Sequence, residues 1–310
     1  MNKSSVELIR DSARRISRYT FRVKERLWME NLGKNMQQIR SGRDVREIPK
    51  GKGAAVVVAS GPSVKKYRQL ETLKQYLEDF EEVKLTVFSC DRALKPCIKM
   101  GIQPRYVCTT DADAMIAQFY RGLEPSSETE AIFNATVHPD VLEACPYKRY
   151  FYVSIIDDPF EEKSLTRAIH YMTGKTMMAS MGNVGANTWN LAWYLQYDPI
   201  ILLGIDFGYS PETPIEKTAY YKAYRKMAEK IAGDTKHKKR VLKGFYRLVE
   251  NPETGKSVLV DMNFAAYREM FLPFLKKARC TTINCSPESS LFGEGVVCRD
   301  LGEVLEELTG

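Results

Sequence analysis

The chain has few of the residues from which metal centres and disulfide frameworks are built. It has three histidines and seven cysteines among 310 residues, and no two cysteines show the C-x-x-C spacing of a zinc knuckle. Their odd number does not suit a disulfide framework, and reduced cysteines indicate the cytoplasm. No apolar run approaches the roughly 20 residues of a membrane-spanning helix, and the first residues lack the apolar core of a secretory signal. We therefore predict a cytoplasmic protein with no membrane span.

The remaining composition is that of a globular protein. Hydrophobic residues make up 44% of the chain and charged residues 27%, which excludes a disordered, collagen-like or disulfide-stapled chain. At roughly 150 residues per domain, the length predicts two domains, or one large α/β domain with an appendage.

The positive charge of the chain is concentrated towards its N-terminus. Residues 1–52 hold 14 Lys and Arg against 6 Asp and Glu, whereas the other residues hold 32 against 33. Apolar spacing predicts a helix over residues 5–39, and Gly and Pro predict a linker over residues 41–53. We therefore divide the chain into a basic helical arm with its linker, residues 1–52, and a domain of residues 53–310. The basic residues of the arm can lie on a solvated helix face, or they can bind anionic lipid or an acidic partner. Aromatic residues are not interleaved with those charges to form a stacking platform, so we expect no nucleic-acid partner.

Beyond the arm, short apolar runs alternate with amphipathic segments of helical period. The runs AAVVVA and PIILLG are typical of strands buried on both faces. Repeated alternation of strand and helix predicts an α/β fold, a doubly wound and mostly parallel sheet, which binds ligands at the carboxyl ends of its strands. We predict strands at residues 54–59, 84–89, 105–110, 131–135, 149–156, 199–204 and 281–285, helices at residues 64–80, 91–100, 183–196, 214–232, 264–278 and 301–308, and a basic loop at residues 236–243.

The loop after the first of these strands has the residues of an anion site. It consists of Ser60, Gly61, Pro62 and Ser63. The glycine allows a tight turn, the proline suits a helix start, and the second serine can cap the helix or donate to a ligand oxygen. Because exposed N–H groups at a helix start attract phosphate, we predict a phosphate site here, with a plain strand-to-helix turn as the alternative.

Acidic residues follow the next two predicted strands. Asp91, with Arg92 beside it, suits contact with a nucleoside or a role as a helix cap. Asp111 and Asp113 stand two residues apart at the end of the third strand. Two such carboxylates can share a divalent cation, or they can be a helix cap and a first-turn acid. We predict that Asp111 and Asp113 bind Mg²⁺ or the substrate.

Two further loops flank the PIILLG run. Gly182, Asn183 and Asn187 open the helix before it, and small and amide residues there favour an anionic or sugar group. Close packing of the helix on the sheet is the alternative. Asp206 follows the run, where it either projects towards the same cleft or caps the backbone. Each signal is weak, but all five loops lie where this topology places a ligand.

Three blocks of the sequence resemble one family. They are VVVASGPSV at residues 56–64, SCDRALKPCIKMGIQPRYVCTTDAD at residues 89–113 and GNVGANTWNLAWYLQYDPIILLGIDFGYS at residues 182–210. Together they resemble the 6-hydroxymethylpterin diphosphokinase MptE-like family, which also contains the Maf motility-accessory flagellin glycosyltransferases. The resemblance extends over roughly residues 25–300.

The resemblance implies a Rossmann-like nucleotide-binding core with transferase activity. In the archaeal branch the reaction looks like pyrophosphate transfer from ATP to a hydroxymethyl pterin, with magnesium. In the Maf branch it looks like transfer of a nonulosonic acid from a CMP-linked donor to Ser or Thr of flagellin. Where the diphosphokinase branch tends to carry Gly-Asp-Arg, this chain has Asn183-Val184-Gly185. This departure limits what carries over from the diphosphokinase branch. The arm and the Y-L-x-x-x-P-I-I-L-x-G-x-D pattern of residues 194–206 favour the Maf-like branch.

We therefore expect glycosyl transfer from a CMP-nonulosonate type nucleotide sugar to the hydroxyl of a small molecule or a protein. The alternatives are ATP-dependent 6-hydroxymethyl-7,8-dihydropterin diphosphokinase activity and non-catalytic nucleotide binding. A base must take the acceptor proton, and the candidates are a carboxylate or His138, which follows a predicted strand. Asp111, Asp113 and His138 are thus the predicted catalytic residues. The sequence leaves open whether the chain forms a homo-oligomer.

Overall fold

The protein is a parallel sheet covered by helices on both faces, with a small antiparallel hairpin beside it. The computed structural model describes residue 7 and residues 22–80, 84–231 and 235–309. This architecture confirms the predicted fold class, a doubly wound and mostly parallel α/β sheet that carries an N-terminal helix. None of the helices in these ranges combines the length and the apolarity that crossing a bilayer requires.

The main sheet has ten strands in the described part of the chain, and all of its pairings are parallel. Its central strands are continuous apolar runs because helices cover both of their faces. The strands are β1 (Arg43–Asp44), β2 (Ala54–Val58), β3 (Leu85–Cys90), β4 (Tyr106–Thr109), β5 (Glu130–Asn134), β6 (Lys148–Ser154), β7 (Met177–Met178), β8 (Ile200–Leu203), β11 (Thr282–Asn284) and β12 (Val297–Cys298), and the hairpin is β9 (Tyr246–Glu250) with β10 (Ser257–Asp261).

Helices connect the strands and include several short ones that the sequence did not predict. The described residues include three 3₁₀ segments. They follow β1, β4 and β8, at Val45–Glu47, Ala114–Phe119 and Ile215–Lys217. The α-helices are α1 (Arg22–Ser41), α2 (Ser63–Lys66), α3 (Gln69–Asp79), α4 (Asp91–Met100), α5 (Pro139–Ala144), α6 (Leu165–Thr173), α7 (Val184–Tyr194), α8 (Tyr221–Ile231), α9 (Thr235–Gly244), α10 (Met262–Lys277) and α11 (Leu301–Glu307).

The order of the strands places a switch in direction at the middle of the sheet. The order is β1, β6, β5, β4, β3, β2, β8, β11 and β12, with β7 extending the edge beside β6. From β2 the chain proceeds outwards to β6, and it then returns to place β8 on the other side of β2. A crevice opens at the carboxyl ends of two strands where the order reverses in this way. The junction of β2 and β8 is therefore the expected place for a ligand.

The core consists of one apolar cluster on one face of the sheet and two on the other. Alternate residues of a strand point to opposite faces, so that Val57 of β2 lies in the first cluster, whereas Val56 and Val58 lie in the third. Helices α7 and α10 cover the first cluster, and α3 and α11 cover the third. The second cluster lies under α1, α5 and α6. Cys90 and Cys108 are buried in the sheet, and all seven cysteines are free thiols.

The described part of the predicted arm packs on the sheet rather than standing apart from it. Trp28, Leu32 and Ile39 of α1 are buried in the second cluster, and the expected linker contributes β1 to the edge of the sheet. The buried Asp44 accepts a hydrogen bond of 2.7 Å from the backbone N–H of Thr176. The division at residue 52 stays a prediction, and residues 5, 6 and 8–21 of the predicted helix lie outside the described residues.

Three predicted elements were wrong in their local structure. The helix expected over residues 214–232 is divided into a 3₁₀ segment, Ile215–Lys217, and the helix α8, Tyr221–Ile231. The helix expected over residues 64–80 is broken at Arg68, whose φ of 51° is left-handed and therefore ends a right-handed helix. The basic loop expected over residues 236–243 is helix α9. Lys and Arg are good helix formers, and α9 half-buries Val241 and Leu242, so that its charges lie on an amphipathic helix.

Candidate functional site

A cavity of about 590 Å³ opens at the carboxyl ends of β2, β3, β4 and β8, at the switch in strand order. The loops that follow four separate strands meet there because parallel strands end at the same edge. The structure brings most of the predicted site residues to its wall. Those that line the cavity are Ser60, Gly61, Pro62, Asp91, Arg92, Asp111, Gly182, Asn183, Asn187 and Asp206.

Asp206 joins the end of β8 to the loop after β2. Its carboxylate accepts hydrogen bonds from the backbone N–H of Ser63 at 2.9 Å and from the Ser63 hydroxyl at 2.6 Å. The same hydroxyl lies 2.8 Å from that of Ser286. Burial raises the pKa of Asp206, and the hydrogen bonds from Ser63 oppose that shift. Asp206 therefore fixes the floor of the cavity, and its carboxylate is already engaged within the protein.

In the predicted phosphate site, the backbone N–H groups of Gly61 and Ser63 are hydrogen-bonded within the protein. The N–H of Gly61 donates to the carbonyl of Gly204 at 3.0 Å, and that of Val64 donates to the carbonyl of Gly61 at 3.3 Å. The N–H of Ser63 is held by the aspartate after β8, and Pro62 has none. The loop thus shapes the cavity floor through these bonds, and its contact with phosphate stays a prediction.

Asp91 is a buried carboxylate at the start of α4. It is 4% exposed and accepts hydrogen bonds from the backbone N–H of Arg92 at 2.7 Å and from the Thr109 hydroxyl at 3.2 Å. Burial disfavours its charged form and raises its pKa to about 6, although the two hydrogen bonds work in the opposite direction. The Arg92 side chain is exposed at the rim of the cavity.

We expect Asp91→Asn to change the pH dependence of stability. Because the folded protein raises the pKa of Asp91, folding favours its protonated form, and that stabilisation is lost as the pH rises through about 6. Relative to the ordinary value, the shift is worth about 3 kcal/mol. Urea unfolding should therefore show that Asp91→Asn gains up to about 3 kcal/mol on the wild type between pH 4 and pH 7. The exposed Asp79→Asn is the control, and a pH-independent difference for Asp91→Asn would contradict the account.

Lys24 of α1 reaches the carboxylates that follow β4. Its Nζ lies 2.8 Å from Oδ1 of Asp111 and 2.9 Å from Oδ2 of Asp113. Burial works to lower the pKa of Lys24, but the two carboxylates outweigh it and the pKa is raised. Burial likewise works to raise the pKa of Asp111, but Lys24 outweighs it and the pKa is lowered. Lys24 and Asp111 line the cavity, and sequence reasoning did not identify the lysine.

The predicted Mg²⁺ ligands do not fit a divalent cation in this arrangement. The two carboxylates close on the Lys24 ammonium, and within the described ranges no group of three His, Cys, Asp or Glu side chains is placed to hold a metal ion. Mg²⁺ needs oxygen ligands at about 2.0–2.1 Å in near-octahedral geometry. The metal site at Asp111 and Asp113 stays a prediction that the donor set does not favour.

The amide side chains at the start of α7 organise that helix. Oδ1 of Asn183 caps it by accepting from the N–H of Ala186 at 3.0 Å. Asn187 accepts from the N–H of Met181 at 2.8 Å and donates to the hydroxyl of Thr110 at 3.3 Å. The amides thus hold the α7 N-terminus against the β4 loop, at the wall of the cavity.

Part of the cavity lining is aromatic, and none of these aromatic residues is among the predicted site residues. We call this set the aromatic wall: Phe207, Tyr209, Tyr220, Phe264 and Tyr267. The ring of Phe264 lies at its centre, with centroids 5.1 Å from Tyr209 and 5.8 Å from Tyr220. The hydroxyls of Tyr220 and Tyr267 lie 3.1 Å apart. The wall offers flat apolar faces edged with hydroxyl groups.

His138, predicted as a catalytic base, lies away from the cavity. Its Nδ1 accepts a hydrogen bond of 3.2 Å from the N–H of Asp140, which makes it the N-cap of α5. A loop histidine before a proline serves this capping role as readily as a catalytic one, so the sequence could not separate them. Of the three predicted catalytic residues, Asp111 is the one that lines the cavity.

Comparison with known proteins gives a matching family and a solved structure of similar fold. The profile of the 6-hydroxymethylpterin diphosphokinase MptE-like family matches residues 27–212. A Maf glycosyltransferase from Magnetospirillum magneticum AMB-1 superposes on 89% of this chain with a TM-score of 0.58 and 15% sequence identity. The chain spans 38% of the length of that protein. No curated protein sequence matches it.

The structural match shows a shared fold, and the family match shows which family the chain belongs to. At 15% identity, the Maf structure shows a shared fold. The family match includes the loops after β2, β3, β4 and β8, whereas Tyr220, Phe264 and Tyr267 of the aromatic wall lie beyond it. It covers well over half of the 310 residues. The chain therefore belongs to the 6-hydroxymethylpterin diphosphokinase MptE-like family.

Proposed function

We propose that this chain is a nucleotide-dependent transferase that moves a sugar from a CMP-linked, nonulosonate-type donor to a hydroxyl acceptor. The observation that carries the proposal is a single cavity whose lining combines polar strand-end residues with the aromatic wall. Strand-end residues and helix starts supply polar groups for phosphate and sugar, and the aromatic wall supplies flat faces for a ring. The fold shared with a Maf glycosyltransferase supports this choice.

The charge of the cavity favours a donor with one phosphate. Among the described residues that line it, Lys24 and Arg92 are the cationic ones, against Asp91, Asp111 and Asp206. The N-termini of α4 and α7 also lie at its wall and add partial positive charge. This suits the single phosphate of a CMP-linked sugar better than a triphosphate, which proteins usually bind together with Mg²⁺.

An ATP-dependent pterin diphosphokinase is the second candidate. The family is described by that activity, and the aromatic wall would stack a pterin ring as well as a cytosine.

A non-catalytic nucleotide-binding protein would use the same cavity and would show saturable binding without turnover.

A thermal-shift screen of the full chain with CMP, CDP, ATP and GTP separates these functions. We expect CMP and CDP to raise the melting temperature the most, with or without Mg²⁺, because ligands that bind only the folded state stabilise it. A larger shift with ATP and Mg²⁺ would favour the diphosphokinase. If every nucleotide leaves the melting temperature unchanged, the proposed function is wrong.

We expect Tyr267→Ala to weaken nucleotide binding about tenfold, since stacking on an aromatic ring is worth about 1–3 kcal/mol per base. Tyr267→Phe keeps the ring and should retain most of the affinity, because only the contact with the Tyr220 hydroxyl is lost. The exposed Tyr171, on α6, gives the control Tyr171→Ala. Calorimetric titration with CMP measures all three, and equal affinities for Tyr267→Ala and Tyr171→Ala would show that the aromatic wall does not bind the base.

A further inference from the structure

Lys24 occupies the position that a shared cation would take between Asp111 and Asp113. Its ammonium makes charge-assisted hydrogen bonds of 2.8 and 2.9 Å to one oxygen of each carboxylate. A divalent ion at the same oxygens would stand next to the lysine's positive charge, and the two cations would repel each other. The ammonium and the metal ion are therefore alternatives at this place.

The position of Lys24 is fixed by the helix that carries it. Asn31, two turns further along α1, donates through Nδ2 to the carbonyls of Ala112 at 2.9 Å and Thr136 at 3.0 Å. Ala112 stands between the two aspartates, so the helix is bonded to the very loop that its lysine reaches. Trp28, between Lys24 and Asn31, is 7% exposed and packs in the second core cluster. The position of Lys24 is thus set by a helix that is packed on the sheet and bonded to the aspartate loop.

We propose that Lys24 is a built-in cation that closes the carboxylate pair Asp111 and Asp113 to divalent metal ions, so that the cavity takes its nucleotide without Mg²⁺. The part about the nucleotide rests on the proposed function, whereas the part about the metal ion concerns the protein alone. Lys24 precedes residues 27–212, where the family match lies. The N-terminal helix thereby contributes the ammonium group that determines whether the site can bind a metal ion. The loops at the strand ends supply other residues of the site.

Titration of the 310-residue chain with Mn²⁺ alone, followed by electron paramagnetic resonance, tests the metal part. The wild type should show no saturable binding at millimolar Mn²⁺. Lys24→Met keeps the apolar stem and frees both carboxylates, so it should bind Mn²⁺ at least tenfold more tightly than the wild type. Lys34→Met changes an exposed lysine of the same helix and should behave as the wild type does.

Two outcomes would overturn the metal part of the proposal. One is saturable Mn²⁺ binding by the wild type that Asp111→Asn abolishes, which needs no lysine variant and decides the matter even if Lys24→Met does not fold. The other is a folded Lys24→Met that binds no more Mn²⁺ than the wild type.

The nucleotide part is tested by calorimetric titration of CMP into the wild type with Mg²⁺ and with EDTA. We expect affinities within twofold of each other, and a tenfold loss in EDTA would overturn this part. Failure of CMP to bind in either buffer would contradict the proposed function and leave the Mn²⁺ result standing.

Discussion

Gly61→Val should unfold the junction between β2 and β8 and abolish nucleotide binding. A Cβ at residue 61 would meet the carbonyl oxygen of Gly204 and would lie 2.6 Å from Oδ2 of Asp206. Neither neighbour can swing away, because one is backbone and the other is a buried carboxylate bonded to Ser63. Overpacking in a well-packed core costs about 1–3 kcal/mol, and we expect this substitution to reach about 3 kcal/mol or more in urea unfolding.

A second glycine provides the matched control for this substitution. Gly33 lies exposed on α1, and a Cβ there would meet nothing within 4 Å. Gly33→Ala should raise the free energy of unfolding by up to about 1 kcal/mol, because alanine favours a helix over glycine. If Gly61→Val were as stable as the wild type and bound CMP normally, the close approach of the loop to β8 would be wrong.

Asp206→Ala should destabilise the protein by about 2–4 kcal/mol, since it leaves buried donors without their acceptor. The N–H and the hydroxyl of Ser63 both donate to this carboxylate, and Ser63 is 3% exposed. Removing a buried charge recovers part of that cost, but it does not replace two hydrogen bonds. Equilibrium urea unfolding at pH 7 measures the difference.

Asp206→Asn is the conservative variant for that measurement, and Asp79→Ala is its exposed control. The asparagine keeps one acceptor oxygen and should lose less stability than the alanine. Asp79 is exposed at the end of α3, and its replacement should stay within about 0.5 kcal/mol of the wild type. An Asp206→Ala protein as stable as Asp79→Ala, with weakened nucleotide binding, would make Asp206 a ligand group and not an anchor of the loop.

The sequence was sufficient to predict the strand ends of the site. Val56, Val57 and Val58 sit in an unbroken apolar run because β2 is covered on both faces, and such runs are visible without coordinates. The loops after these runs, and the helix start at Asn183, are then placed by topology. This is why Gly61, Asp91, Asp111, Asn183 and Asp206 all reach one cavity.

The partners of those residues could not be predicted, because they come from remote parts of the chain. Lys24 and Asp111 are 87 residues apart, and no local pattern distinguishes this lysine from the other basic residues of the arm. Phe264 and Tyr267 follow helical spacing on α10, which is equally typical of core packing. An aspartate at a strand end can bind a ligand or hold a loop, and only the distances from Asp206 to Ser63 decide between them.

Hydrogen–deuterium exchange of the full chain with and without saturating CMP tests most directly whether the strand ends form one nucleotide site. The account predicts slower exchange together in the segments around residues 60–64, 90–92, 110–113, 182–187 and 205–209, and in α10 where it carries the aromatic wall. Protection confined to other surfaces, such as the basic helices α8 and α9, would contradict it.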